Sequence, residues 1–129
     1  MRTRRDEERG TAAVEFALVL PLVLVVTLAL VQTGLLVRDR LLVEAAARAA
    51  ARAAAVADDP NAVRSAAVGA APSLDGAALT VSVDRQGTRG EPVTASVGYT
   101  AAVRVPFVGW LFGTSVSMGT SSTARQEFG

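Results

Sequence analysis

An uncharged run at positions 16–37 constrains this 129-residue chain more than any other feature of its sequence. As an α-helix the run is about 33 Å long, at roughly 1.5 Å per residue, which is close to the hydrocarbon thickness of a bilayer. The alternative is a buried helix of a soluble protein, but the rest of the chain is too short to surround such a helix on every side. We therefore predict one transmembrane helix.

The composition excludes several classes of function. Histidine and cysteine are both absent, so the chain lacks the commonest general base, the commonest metal ligand and any disulfide. The acids are dispersed, which argues against a paired-carboxylate site or a calcium loop. All thirteen basic residues are arginines, scattered singly rather than clustered as in a nucleic-acid-binding surface. We expect a protein that is not an enzyme and that has no cofactor, metal, small-molecule substrate or nucleic-acid partner.

Charge does not decide how the helix is oriented. Four arginines precede the uncharged run and four follow it closely, so the positive-inside rule gives a tie. A cleaved signal peptide is a further alternative. The apolar core of a typical signal peptide is, however, shorter than this run, and a cleavage site of small residues directly follows it. Here Arg38-Asp39-Arg40 follows the run, while cleavage within residues 45–47 stays possible.

The junction before the apolar run carries the most specific pattern. A short charged leader ends at Gly10, and a single acid, Glu15, stands at the edge of the run beside Phe16, with Pro21 shortly after. A carboxylate near the membrane boundary costs up to a few kcal/mol unless it snorkels or finds a partner, so Glu15 is a functional candidate. The alternative is that Glu15 only snorkels to the headgroups of an ordinary anchor.

The string Arg-Gly-Thr-Ala-Ala-Val-Glu-Phe-Ala-Leu-Val-Leu-Pro, at positions 9–21, resembles the TadE and TadG pseudopilins of bacterial Flp (Tad) pilus systems. The motif-level resemblance covers about residues 4–55. It implies that a prepilin peptidase cuts between Gly10 and Thr11 on the cytoplasmic side. It also implies that Glu15 meets the N-terminus of a subunit during assembly, and that the leader lies in the cytoplasm.

The resemblance implies a minor pseudopilin of the inner (plasma) membrane that takes part in building a Flp-type pilus for surface adhesion and biofilm formation. The implied partners are the membrane, the prepilin peptidase, other pilin or pseudopilin subunits and the pilus assembly platform. Two alternatives stay open. One is an unprocessed single-pass anchor that displays a small extracytoplasmic binding domain, and the other is a domain secreted after cleavage by signal peptidase.

The helix is expected to continue beyond the membrane, which gives the chain an α+β fold. Alanine, the best helix former, dominates residues 45–57, and Asp58-Asp59-Pro60 ends the helix. We predict a leader at 1–10, a transmembrane helix at 11–37, its extracytoplasmic continuation at 38–57 and a small extracytoplasmic domain at 58–129. Arg48 and Arg52 lie on one face of this helix, and the alanine faces could pack against neighbouring subunits or be covered by the chain's own domain.

Beyond the helix the apolar period changes from 3.6 to 2 residues. Asp59 or Asn61 caps a predicted short helix that ends before Pro72, and three alternating segments follow, around residues 79–83, 93–105 and 116–124. We predict a three-stranded antiparallel sheet that packs on the long helix, with a hairpin loop at 86–90. The apolar run at 106–113 is either a loop that plugs the core or an exposed aromatic patch for a subunit or the membrane surface.

Overall fold

A single long helix dominates the computed structural model, which describes residues 3–105, 107 and 109–128. Helix α1 spans Thr3–Val56, 54 residues, and is therefore about 80 Å long. The helix passes without interruption from the predicted membrane segment into the alanine-rich segment, as the sequence predicts. It begins earlier than the predicted start at Thr11, because extending an existing helix into residues 3–10, which are rich in arginine and glutamate, costs little.

The C-terminal end of α1 is closed by a side chain from the sheet. The Arg85 guanidinium donates hydrogen bonds to the carbonyls of Ala54 at 3.2 Å and Ala57 at 2.9 Å, and it pairs with Asp58 at 3.2 Å. A cation is favourable here because the last carbonyls of a helix lack partners and carry partial negative charge. The arginine thereby ties the end of α1 to the first strand.

Helix α2, Pro60–Ala70, follows directly. Of the two predicted capping residues, Asp59 is the N-cap, and its carboxylate accepts a hydrogen bond from the backbone N–H of Asn61 at 2.9 Å. Proline at the first helical position is favourable because its missing N–H would have no partner there.

The remaining chain forms a three-stranded antiparallel sheet in the order β1-β2-β3. The strands are β1 at Leu79–Arg85, β2 at Pro92–Ala102 and β3 at Ser115–Arg125. The hairpin loop between β1 and β2 lies where the sequence placed it. The long apolar helix, the short helix and the antiparallel sheet confirm the predicted α+β fold.

The core lies between one face of α1 and one face of the sheet. Along the second half of α1 the buried residues recur at helical spacing, and along β2 they alternate. The buried members include Val43, Ala46, Ala47, Ala50, Ala51, Ala54 and Ala55 of α1 and Val93, Ala95, Val97, Tyr99 and Ala101 of β2. The alanine face is thus covered by the chain's own domain, one of the two roles that the sequence allows, while Arg48 and Arg52 are exposed.

The segment between β2 and β3, residues 103–114, is called here the β2–β3 loop. Its base is closed by the backbone N–H of Val103, which donates to the carbonyl of Thr114 at 3.1 Å. A four-residue helix, α3 at Gly109–Phe112, lies within it. The predicted alternation through Val105 was too long: β2 ends at Ala102, because the backbone N–H groups of Arg104 and Val105 turn away from the sheet to the side chain of Gln32 on α1.

Candidate functional site

The predicted cleavage site lies within helix α1 and is exposed. Gly10 and Thr11 are both helical and accessible. A Cβ atom added at Gly10 would meet no atom within 4 Å, so the fold itself does not require glycine at this position. The glycine instead weakens the helix locally by roughly 1 kcal/mol relative to alanine, which lowers the cost of opening the backbone there.

Glu15 is exposed and lies one helical turn beyond Thr11. Residues four apart on a helix are neighbours on one face, with Cβ atoms roughly 5–6 Å apart. The Glu15 carboxylate therefore lies on the same face of the helix as Thr11. Phe16, beside it, is 67% exposed.

Pro21 lies inside the helix and does not end it. A proline has no N–H to donate to the carbonyl of Ala17, one turn earlier, so that the helix is locally weaker at this point. Membrane helices tolerate such an interruption. Gly10, Thr11, Glu15, Phe16 and Pro21 thus all lie on one continuous, exposed helical segment.

The first half of α1 exposes a large apolar surface. Of residues 10–31, all of which the structure describes, none is buried. Burying one large apolar side chain is worth roughly 1.5–3 kcal/mol, so the total for this surface is on the order of 20 kcal/mol. The large apolar side chains that are at least half exposed are Val14, Phe16, Leu18, Val19, Leu20, Leu22, Val23, Leu24, Val26, Leu30 and Val31. Water is an unfavourable environment for such a surface, whereas the acyl chains of a bilayer are a suitable one.

A second polar site joins α1 to the sheet, and the sequence analysis did not identify it. Gln32 is 1% exposed, although it lies inside the predicted membrane segment. Its Oε1 accepts hydrogen bonds from the backbone N–H groups of Arg104 at 3.1 Å and Val105 at 3.0 Å. The available signal was the spacing: Gln32, Asp39 and Val43 continue, toward the N-terminus, the buried face that the alanines define.

Asp39 belongs to the same polar site, called here the polar junction, and lies about two turns beyond Gln32 on α1. Its side chain is 3% exposed and lies 3.6 Å from the Arg104 guanidinium and 3.8 Å from that of Arg38. Its Oδ1 is buried and accepts no hydrogen bond from any group in the described part of the chain. A buried carboxylate needs a positive neighbour, and here one comes from the helix and the other from the β2–β3 loop.

The β2–β3 loop presents apolar side chains outward. Phe107, Trp110 and Leu111 are 82%, 75% and 54% exposed. Of the two alternatives for the apolar run at 106–113, the described residues therefore favour the exposed aromatic patch over the core plug. Pro106 and Val108, which also belong to that run, lie outside the described residues.

These features define a class: a protein in which the described residues form one candidate membrane span, Gly10–Val56, whose second half carries a small sheet domain. The model of the TadE-like protein family matches residues 10–52, which confirms the resemblance seen in the sequence. The matched segment, about a third of the chain, contains all five predicted site residues, and the match suggests an association with a Tad pilus. The TadE-like family is not known for enzymatic activity. No curated protein and no solved structure matches the chain.

Proposed function

We propose that this protein is a TadE/TadG-like minor pseudopilin, trimmed by a prepilin peptidase and used in assembling a Flp-type pilus for surface adhesion. The observation that carries the proposal is the family match, which begins at Gly10 and runs through the helix that holds Glu15, Phe16 and Pro21 in register. Its partners are the membrane, the peptidase, other pilin-type subunits and the pilus assembly platform.

Cleavage is hydrolysis of the peptide bond between Gly10 and Thr11. It removes four arginines and three acids, leaving nine basic and nine acidic side chains, and it creates an α-ammonium group on Thr11. Because the site is helical, the peptidase must first open a short stretch of backbone. The glycine lowers the free energy needed for that opening.

The new ammonium group gives Glu15 a partner of opposite charge. Within one chain, Thr11 and Glu15 lie one turn apart, and between adjacent parallel chains a small axial shift brings the same groups together. Each charge is costly near the hydrocarbon, and pairing offsets part of that cost. In the assembled pilus the pair lies between subunits and sets their axial register.

The proposed topology places the leader in the cytoplasm, residues 11–37 in the inner membrane and the sheet domain outside. The processing model supports this orientation because the peptidase cuts on the cytoplasmic side, whereas the arginine count alone gives a tie. The exposed apolar half of α1 and the covered alanine half are consistent with a membrane boundary near Val37.

The two alternatives fit the structure less well. Signal peptidase cleavage within residues 45–47 would cut α1 beside Ala46 and Ala47, which are 0% and 1% exposed, and would remove Val43 from the core. An unprocessed anchor needs neither a glycine at the end of the leader nor an acid five residues later. The pseudopilin proposal gives a role to both residues.

Replacing Glu15 with glutamine tests the role of the carboxylate. We expect normal folding, membrane insertion and cleavage at Gly10, because a neutral amide is easier to bury than a carboxylate. Losing a charge-assisted hydrogen bond of roughly 1.5–3 kcal/mol should reduce association with other pilin-type subunits by about tenfold or more. The measurement is photo-crosslinking in membranes from a probe placed at Leu18, which is 74% exposed.

Glu44→Gln is the matched control. Glu44 is another helical acid, but its partners Arg40 and Arg48 belong to the same chain, at 3.4 and 3.9 Å. This control should crosslink as wild type does. Unchanged crosslinking of Glu15→Gln would mean that Glu15 only snorkels, and the proposed pairing would be wrong.

A further inference from the structure

The β2–β3 loop lies at the end of the sheet domain that faces the membrane. At the far end of the domain, the backbone N–H of Glu127 donates to the carbonyl of Ala55 at 2.8 Å, near the end of α1. At the near end, the N–H groups of Arg104 and Val105 donate to Gln32. Strand β2 therefore runs along α1 from the C-terminal end of the helix back toward the predicted membrane segment. The β2–β3 loop is the part of the domain that lies nearest to the membrane.

The depth of the loop follows from its contact with Gln32. Gln32 stands five residues before Val37, the end of the uncharged run, which places it about 7.5 Å inside that boundary. Its side chain tilts further toward the helix N-terminus, as helical side chains do. The backbone at Arg104 and Val105 therefore lies at the level of the outer acyl chains.

Backbone N–H groups at that level need internal acceptors, because the hydrocarbon offers none. Gln32 supplies one acceptor for both groups, and its own amide oxygen is thereby satisfied. Asp39, Arg38 and Arg104 form their ion cluster about one and a half to two turns higher on α1, where headgroups and water are available to the partly exposed arginines. The polar groups of the junction are thus arranged by depth as a membrane interface requires.

The loop's exposed side chains are those that the interface favours. Tryptophan is enriched at both membrane–water boundaries, and phenylalanine and leucine partition into the acyl region next to it. Phe107 adopts a positive φ of 63°, which is unusual for a residue with a side chain, and Gly113 closes the loop with a φ of 76°. The backbone is thus in an unfavourable left-handed conformation at Phe107, whose side chain is more exposed than those of Trp110 and Leu111.

We propose that the β2–β3 loop is a second membrane contact, which inserts Phe107, Trp110 and Leu111 into the interfacial region of the outer leaflet. Lipid is the occupant, rather than another subunit, because the backbone N–H groups of Arg104 and Val105 in the loop donate to Gln32, which lies inside the predicted membrane segment. The proposal rests on α1 spanning the bilayer with the domain outside. It does not depend on cleavage at Gly10 or on pilus assembly.

Trp110 reports on this contact directly because it is the chain's single tryptophan. The full chain is reconstituted in phosphatidylcholine–phosphatidylglycerol vesicles, with acyl chains brominated near the headgroup in one sample and near the terminal methyl in another. We expect blue-shifted emission, weak quenching by aqueous acrylamide, and stronger quenching by the shallow bromines than by the deep ones. Flotation of the vesicles after alkaline carbonate treatment confirms separately that α1 remains inserted.

Two variants test the cause of the insertion. The double variant Phe107→Ser, Leu111→Ser removes the neighbouring apolar side chains, and we expect a severalfold loss of lipid quenching with a matching gain in acrylamide quenching. Val56→Ser is the control, since Val56 is also apolar and 59% exposed but lies at the far end of α1. It should leave the Trp110 signal unchanged.

Two results would overturn the proposal while the helix stays inserted. Emission typical of water, with full acrylamide quenching in wild type, would place the loop outside the bilayer. Trp110 could instead be protected from the lipid bromines and from acrylamide alike, with protection that grows with the protein-to-lipid ratio. That result would mean that the patch binds another subunit. Loss of flotation would instead contradict the membrane span on which the proposal rests.

Discussion

Replacing Gly10 with leucine is expected to abolish trimming, so that the leader stays attached in cells that contain the cognate peptidase. The expected effect is complete because a peptidase that holds an extended backbone at this position has no space for a branched side chain. The substitution does not disturb the fold, since a Cβ at Gly10 meets no atom within 4 Å and leucine is a better helix former than glycine. Intact-mass measurement of the purified chain distinguishes the two forms.

Gly34→Leu is a matched control for this result. Gly34 lies in the same helix, and an added Cβ meets no atom within 4 Å there either. The control chain should be trimmed to the same mass as wild type. Trimming of Gly10→Leu at the wild-type position would show that the glycine does not determine cleavage, and the assigned site would have to be abandoned.

Placing a charge on the covered alanine face is expected to unfold the sheet domain. Ala50 is 0% exposed and belongs to the apolar core between α1 and the sheet. Ala50→Glu therefore buries an unpaired carboxylate in a space that fits only a methyl group. We expect a loss of roughly 4 kcal/mol or more, a large part of the stability of a domain this size.

The matched control is Arg52→Glu, which introduces the same residue two positions later, where the helix is exposed. It should change the free energy of unfolding by about 0.5 kcal/mol or less. Urea titration of the full chain in detergent micelles, followed by circular dichroism, compares the two. A difference of under about 1 kcal/mol would mean that this face does not pack against the sheet as described.

The elements of the fold were predictable because the apolar residues of each element recur at the spacing typical of a helix or of a strand. The uncharged run, the alanines and Asp58-Asp59-Pro60 fix the body and the end of α1, and strict alternation marks β2 from Val93 to Ala101. Packing of the sheet on α1 follows, because both elements have an apolar face and the chain offers no other cover of similar length.

The polar junction could not be predicted from the sequence, because it depends on contacts between residues far apart in the chain. Gln32 and Val105 are separated by 73 positions, and no local pattern indicates that a loop reaches back to the predicted membrane segment. The same contact ends β2 earlier than the alternation suggests. The exposure of Phe107 and Trp110 also depends on that geometry, so the sequence left both interpretations of the apolar run open.

The five residues of the proposed processing and assembly site were selected from the sequence because their pattern is local, and the family match spans all five positions. The roles of these residues do not follow from the structure of a single chain. Cleavage and subunit pairing involve a peptidase and other chains, and a single helix exposing Gly10 and Glu15 is compatible with several fates of the leader. The roles therefore stay predictions that processing and assembly experiments must test.

The mature N-terminus tests the central claim most directly. The chain is expressed with the prepilin peptidase of its own pilus system, purified from membranes, and subjected to intact-mass measurement and N-terminal sequencing. The pseudopilin proposal predicts a chain that begins at Thr11 and lacks the ten-residue leader. A chain that begins at Met1 would identify an unprocessed anchor, and one that begins in the mid-forties a secreted domain; either result would contradict the proposal.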